Sequence, residues 1–207
     1  FRVKSQVNES RHVHGPMITR SRAQAKALHR FAKKFMLEFH RRTYWKGLKM
    51  PLALDASSDL EFSRRLDAPP GAVWRCWTEG PLLRRWFAPA PVEIIEAEIQ
   101  PRSGGRFHVI MRMPTGETIP SEGCVLLADP ERRLVFTDAL SANFRPRSKP
   151  FFTADIHFAP EGAGTQYTVR ALHSDAADRA RHQSMGFAEG WGKAAQQLAD
   201  LARHLPD

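Results

Sequence analysis

The sequence has little that would indicate an extracellular, metal-binding or membrane-spanning protein. Its only two cysteines, Cys76 and Cys124, lie far apart and outside any CxxC or histidine-rich segment, so we predict neither a zinc site nor a redox pair. No apolar run is long enough for a spanning helix. The first residues, FRVKSQVNES, lack the apolar core of a secretory signal. We therefore expect a cytoplasmic protein with two reduced, buried thiols.

Several motifs of common enzyme classes are also missing. The chain has no GxSxG nucleophile elbow, no P-loop, no GxGxxG and no HExxH. The pair His12 and His14 has metal-like spacing, but it lies in a polar, unpatterned segment, and we interpret it as fortuitous. The sequence therefore predicts no metal and no cofactor, and it shows no catalytic constellation.

Positive charge is concentrated at one end of the chain. Residues 1–50 hold 13 of the 31 Lys and Arg residues but only two of the 22 Asp and Glu, and the formal net charge of the chain is +9. The remaining residues are nearly neutral. A basic protein often binds nucleic acid or an anionic membrane, but this distribution predicts no specific nucleic-acid partner for residues 51–207.

The segment 19–46 resembles a basic amphipathic helix, with Leu28, Phe31, Phe35 and Phe39 on one stripe. Such a helix can lie on an anionic membrane, bind nucleic acid or dock on a partner protein, and its composition also resembles an organelle presequence. A different interpretation is a mis-assigned upstream extension, because the chain begins with Phe and Met50 precedes the neutral part. We divide the chain into an extension at 1–50, a linker at 51–58 and a folded domain at 59–205.

The domain has the pattern of an α+β fold. Leu60, Phe62 and Leu66 alternate with polar residues, which predicts a first strand, and two short helices follow at 72–78 and 81–87. Six strand-like runs come next, separated by breaks rich in Gly, Pro, Asp and Ser: VEIIEAEIQ, GRFHVIMRM, ETIPSEGCVLLA, RRLVFTDA, FFTADIHFA and TQYTVRALH. A single long helix is predicted from Ser174 or Asp175 to about His204. We expect a seven-stranded curved antiparallel sheet covered by this helix.

The last helix carries an apolar stripe and three glycines near its start. The stripe comprises Phe187, Trp191, Ala194, Leu198, Leu201 and Leu205. Each interior glycine costs a helix about 1 kcal/mol relative to alanine. We predict that Gly186, Gly190 and Gly192 allow the helix to approach the curved sheet closely, or that one of them kinks the helix. Either arrangement turns Trp191 inward.

Large rings and methionine are frequent at inward positions, and such side chains often line ligand pockets. Periodicity alone favours a filled core over a cavity. The inward candidates are Phe62, Trp74 or Trp77, Trp86, Phe107, Val109, Met111, Phe136, Phe152, Ile156, Phe158, Tyr167, Phe187 and Trp191.

Four polar side chains are candidates for chemistry. Strand alternation predicts that His108 and His157 point outward as surface residues, whereas His173 ends its strand and either binds backbone or faces a cavity mouth. Arg64 shares the parity of the inward residues, and a buried guanidinium needs a partner. Asp138 or Glu122 could supply one, as a polar anchor for a ligand or as a structural ion pair.

Five blocks of the sequence resemble the activator of heat-shock-protein ATPase homologue family, which belongs to the START-like, Bet v-like superfamily with polyketide cyclases and lipid-transfer domains. They are RRLDAPPGAVWRCWTEGPLLRRWFAP, GGRFHVIMRMPTGE, DPERRLVFTDAL, PEGAGTQYTVRALH and MGFAEGWGKAAQQLADL. They come in the order of the family and cover about residues 59–205, with no match in 1–50.

The resemblance implies a helix-grip fold with a deep hydrophobic cavity, and thus reverses the preference for a filled core. It places the WFAP motif, Trp86 to Pro89, at the cavity mouth. Together with the inward residues, it gives these ligand-binding candidates: Trp86, Phe107, Met111, Phe152, Phe187, Trp191 and Arg64.

The function implied is binding of a small hydrophobic or aromatic molecule. The alternatives are a cyclase- or hydrolase-type enzyme acting in the same cavity, or a membrane- or partner-binding module acting through 19–46. Chaperone activation is not expected, because the relatives that do this carry a separate chaperone-binding domain, and residues 1–49 are too short and too basic to resemble it.

Overall fold

The computed structural model of the chain describes residues 53–205. Three of the sequence predictions lie outside the described residues: the basic extension at 1–50, its helix at 19–46, and the two histidines His12 and His14. The remaining part has the predicted α+β architecture: a first strand, two short helices, a run of strands and a helical C-terminal segment.

Nine strands, four α-helices and one 3₁₀ turn (Ala142–Phe144) make up the described domain. The strands are β1 (Asp59–Leu66), β2 (Glu93–Ile99), β3 (Arg106–Arg112), β4 (Thr118–Asp129), β5 (Arg133–Thr137), β6 (Leu140–Ser141), β7 (Arg145–Pro146), β8 (Thr153–Glu161) and β9 (Gly164–Leu172). The helices are α1 (Pro70–Thr78), α2 (Gly80–Leu83), α3 (Ala176–Ser184) and α4 (Phe187–Ala202). The short strands β6 and β7 begin one residue before the insertion SANFRPRSKP and form a separate two-stranded ribbon.

Seven strands form one antiparallel sheet in the order β1-β9-β8-β5-β4-β3-β2. Consecutive long strands are neighbours, and β1 closes onto β9, as short turns between alternating runs predict. Register shifts between Ile94 and Glu96 and between Val125 and Leu127 interrupt the ladders. Such bulges bend a sheet and increase its twist, so the sheet is curled around one inner face.

Helix α4 covers that inner face with its apolar stripe. Ala194, Leu198 and Leu201 belong to the main hydrophobic core, together with Phe107, Val109, Ile156 and Tyr167 from the sheet. The four-and-three spacing of the stripe places these side chains on one side of the helix. The prediction that the last helix grips a curved sheet is therefore confirmed.

The outer face of the sheet carries charged clusters rather than isolated histidines. His108 and His157 do lie opposite the core, as strand alternation predicts. His108, however, is buried, with its Nδ1 2.9 Å from the Glu122 carboxylate, so its assignment as a surface residue is wrong. His157 lies 3.0 Å from Asp155, which is fully buried and also receives two hydrogen bonds from Arg133. Neither histidine reaches the inner face of the sheet.

Candidate ligand-binding cavity

The predicted single C-terminal helix is two helices, and the break between them shapes the site. Helix α3 ends at Ser184, and Gly186 starts α4 with φ of +87°, in the left-handed region. Glycine adopts this conformation at little cost because it has no Cβ. The kink predicted as one role of the glycines therefore occurs at Gly186, as a complete break that starts a new helix.

The other explanation, a close approach of helix and sheet at the glycines, is wrong. A Cβ added at Gly190 would have no atom within 4 Å, and one at Gly192 would only reach the Phe62 ring at 4.0 Å. Ordinary van der Waals contact does not require glycine at either position. Gly190 instead borders an empty volume, so its missing side chain leaves space next to the helix.

That volume is a cavity of about 320 Å³ beside the first turns of α4. Four residues of α4 line one wall: Phe187, Gly190, Trp191 and Ala194. Phe87 and Pro89 of the WFAP motif and Met111 of β3 line the opposite side. The cavity is at the small end of the range for ligand pockets and is mostly apolar, as such pockets are.

The remaining border of the cavity comes from the end of α3 and the helix break. His182, Met185 and Gly186 lie here, and Met185 is 69% exposed, which places this side at the solvent. His182 is the one lining residue among those described whose side chain can ionise. The cavity thus combines apolar walls with a single polar group near its mouth.

Trp191 lies inward, as predicted, and its ring is held by other aromatic side chains. It stacks on Trp77 with ring centroids 6.2 Å apart and an angle of 23°, and it meets Phe87 and Phe187 edge-on. Trp77 is fully buried. Since aromatic pairs of this kind add stability beyond area burial, Trp191 forms a fixed wall between the cavity and the core.

Of the seven candidate ligand-binding residues, Met111, Phe187 and Trp191 line the cavity. Trp86 does not, because it is 1% exposed and its Nε1 donates a hydrogen bond of 2.9 Å to the Cys76 carbonyl. Phe107 is also buried beneath the site, where it stacks on Phe136 with centroids 4.0 Å apart. These two residues belong to the core behind the wall.

Phe152 and Arg64 also lie away from the cavity. The Phe152 ring is 5.1 Å from the ring of His182 and supports it from behind. Arg64 is exposed, and it donates hydrogen bonds to the Gly192 carbonyl and to Gln196 on α4. The buried ion pair considered for Arg64 is therefore not formed.

The two acids considered as partners for Arg64 are engaged elsewhere. Glu122 accepts two hydrogen bonds from Arg106, and Asp138 accepts backbone hydrogen bonds from Phe151 and Phe152. Neither acid lines the cavity.

The WFAP motif is fixed to α4 by one side chain that the sequence did not single out. Gln197 donates from Nε2 to the carbonyls of Trp86 and Ala88, at 2.9 and 2.8 Å, and accepts from the Ala90 amide at 3.1 Å. These bonds satisfy backbone groups of a loop that has no regular partners. Gln197 thereby sets the position of Phe87 and Pro89 on the cavity wall.

The polar group of the cavity belongs to a histidine pair. His173, at the end of β9, places its Nδ1 2.8 Å from the Ser58 carbonyl and its Nε2 2.9 Å from Nδ1 of His182. The backbone role considered for His173 is therefore present. In addition, His173 holds His182, which no sequence pattern indicated.

We predict a specific pH dependence of stability from His182. Burial, with repulsion from His173 and Arg181, lowers the pKa of His182 from 6.5 to about 4. The unfolded chain therefore binds this proton more readily, so the stabilising contribution is complete above pH 6.5 and is lost as the pH falls toward 4. The variant His182→Phe should show a flatter decline of unfolding free energy between about pH 6.5 and 5, measured by urea denaturation.

The carboxylates of Asp155 and Glu122 are protonated only at lower pH and therefore do not obscure the contribution of His182 in this window. Burial raises the pKa of the Asp155 carboxyl, but hydrogen bonds from His157 and Arg133 outweigh this effect, so the pKa lies below its usual 3.8. The pKa of Glu122 lies below its usual 4.5, chiefly because Arg106 donates hydrogen bonds to it. Their contributions are lost only below those usual values. The prediction would be contradicted if the unfolding free energy of His182→Phe and that of the parent protein changed with pH at the same rate above pH 5.

A curled seven-stranded antiparallel sheet covered by a long C-terminal helix defines a protein with the helix-grip fold. The model of the Activator of Hsp90 ATPase homolog 1-like protein family matches residues 67–203. The chain belongs to this family. The resemblance read from the five sequence blocks is thus confirmed.

Solved structures agree with this assignment. A crystal structure of a protein from Nitrosomonas europaea is 41% identical, with a TM-score of 0.71, and the match covers 72% of this chain and 97% of that one. A protein from Rhodobacter sphaeroides, 22% identical over 73% and 95% of the two chains, has a TM-score of 0.63. An AHSA1-like protein from Aeromonas hydrophila, 18% identical over 72% and 99%, has a TM-score of 0.56. The last two support the fold alone.

A comparison with curated proteins gave no match. None of the helices described between residues 53 and 205 combines the length and the apolarity that a membrane crossing requires.

Proposed function

We propose that this protein binds a small hydrophobic or aromatic molecule in the cavity beside the first turns of α4. The observation that carries the proposal is the cavity of about 320 Å³ between Phe87, Met111, Phe187 and Trp191. Its size suits a ligand of one or two rings, and flat rings with a methionine make good contacts with such a ligand. The partner is therefore a small molecule.

Binding is favoured over catalysis by the polar groups near the cavity. A cyclase or hydrolase would need an acid, a base or an arginine converging on the ligand. Among the described lining residues only His182 can ionise, and Arg64, Glu122 and Asp138 make their hydrogen bonds elsewhere. A cytoplasmic location is part of the proposal, supported by the two free, buried thiols of Cys76 and Cys124.

Two measurements test the proposal. Native mass spectrometry of protein purified from its own host should detect one retained small molecule per chain. Calorimetric titration with 2-methoxynaphthalene, a neutral bicyclic probe, should give a one-to-one complex with a Kd below about 100 µM. Absence of both a retained molecule and probe binding would overturn the proposal.

A further inference from the structure

When both rings are neutral, two hydrogen bonds fix the positions of the protons in the pair His173 and His182. The Ser58 carbonyl can only accept, so Nδ1 of His173, 2.8 Å away, carries a proton and donates it. Nε2 of a neutral His173 then has only a lone pair. Nδ1 of His182, 2.9 Å from that lone pair, must therefore be the donor. As a result, Nε2 of His182 has no proton and is an acceptor.

The surroundings of His182 keep its ring neutral. The rings of Phe151, Phe152 and Phe187 have centroids 5.0, 5.1 and 5.0 Å from it. The charged or titratable groups facing it are His173, directly after β9, and Arg181 on α3, whose guanidinium lies over the Phe151 ring at 4.2 Å. The carboxylate of Asp178 binds Arg181, and that of Asp138 binds the amides of Phe151 and Phe152.

Nε2 is the ring nitrogen that remains for the cavity. Within residues 53–205, Nδ1 of His182 is used by His173, and Nε2 has no hydrogen-bond partner. The other lining side chains are apolar. A ligand that fills the cavity will remove water from the adjacent His182 ring, and an acceptor left unpaired in an apolar site is costly.

We propose that His182 Nε2 accepts a hydrogen bond from the ligand, so that the cavity selects neutral hydrophobic molecules carrying one hydroxyl or N–H donor. The inference rests on the proposed function and narrows its ligand class. An ether or methyl analogue leaves Nε2 unpaired, and a carboxylate presents its own lone pairs to it. The pKa of His182, lowered to about 4, makes the ring a weak base. The ring therefore accepts a hydrogen bond from the ligand and does not remove its proton.

A set of matched ligands tests the inference. 2-Naphthol, 2-methoxynaphthalene and 2-naphthoate share one ring system and differ in offering a donor, a neutral acceptor or an anion. At about pH 7.5 the naphthol is neutral. Calorimetry should give a Kd for 2-naphthol about tenfold lower than that for 2-methoxynaphthalene, and weaker binding still for 2-naphthoate.

The variant His182→Phe keeps an aromatic ring at the same position but removes the acceptor. It should bring the two neutral ligands to within about twofold of each other, because neither ligand can then gain or lose a hydrogen bond at this position. His204→Phe, at an exposed histidine beyond α4, is the matched control and should keep the tenfold preference. If His182→Phe does not fold, the ligand ranking of the parent protein decides alone.

The outcomes separate the inference from the proposed function. Equal affinities in the parent protein, a preference for 2-naphthoate, or an unchanged preference in a folded His182→Phe would each overturn the selection of donors while leaving the binding cavity standing. Failure of all three ligands to bind would overturn the selection of donors, and together with the absence of a retained small molecule it would overturn the proposed function as well.

Discussion

Replacing Gly190 with leucine is expected to abolish ligand binding while leaving the fold intact. A side chain added here would project into the cavity, since Gly190 lines it and no atom lies within 4 Å of the added Cβ. A leucine would occupy much of the space that a one- or two-ring ligand needs, so affinity should fall more than about 100-fold. Leucine also favours a helix over glycine by about 0.6–1 kcal/mol, so the variant should not be less stable.

The control for this variant lies two residues away on the same helix. Ala188→Leu introduces the same side chain at an exposed position that does not line the cavity, and it should bind 2-methoxynaphthalene as the parent protein does. Both variants are compared by calorimetry and by urea denaturation. Undiminished binding by a folded Gly190→Leu would show that the ligand site lies elsewhere.

This expectation gives the glycine a different role from the one predicted. The sequence shows that α4 tolerates a costly residue at Gly190, but it does not show what the missing side chain faces. A close approach to the sheet and an empty cavity both need the same residue, and helical periodicity cannot distinguish them. The sequence is equally ambiguous at Gly186, because a glycine can mark either a kink in one helix or a complete break between two helices.

The fold itself was readable because its signals are local. Alternating residues defined the seven long strands, and the stripe from Phe187 to Leu201 defined the covering helix. The site is harder to predict from the sequence, because strand alternation gives the face of the sheet on which a side chain lies but not how deeply that side chain is buried. Phe107 and Met111 share a face of β3, yet Phe107 is buried under the wall and Met111 lines the cavity.

The remaining residues of the site lie in loops and on a short helix, where the sequence pattern does not show which way a side chain points. Trp86 and Phe87 follow a short helix where no periodicity remains, so the sequence could not say which ring faces the cavity. His182 lies on α3, which contributes no buried residue to the core and has no apolar stripe that would orient it. Its partner His173 was noticed only because it ends a strand.

Substitution of Trp86 is expected to lower the free energy of unfolding and to leave ligand affinity nearly unchanged. It is almost fully buried, meets the Trp77 ring at 4.8 Å and donates to the Cys76 carbonyl. Truncation to alanine should cost about 3–5 kcal/mol. Trp86→Phe keeps most of the ring but leaves that carbonyl unpaired, and should cost about 1–3 kcal/mol, measured by urea denaturation.

The adjacent residue supplies the comparison, because Phe87 lines the cavity and is only partly buried. Phe87→Leu should weaken 2-methoxynaphthalene binding about three- to tenfold, through lost ring contact, at a smaller cost in stability than Trp86→Phe. Affinities are compared where each variant is fully folded, so that lost stability does not imitate lost binding. If Trp86→Phe weakened binding more than Phe87→Leu, the wall and core assignments of these neighbouring rings would have to be exchanged, and the cavity would have to extend behind Trp191.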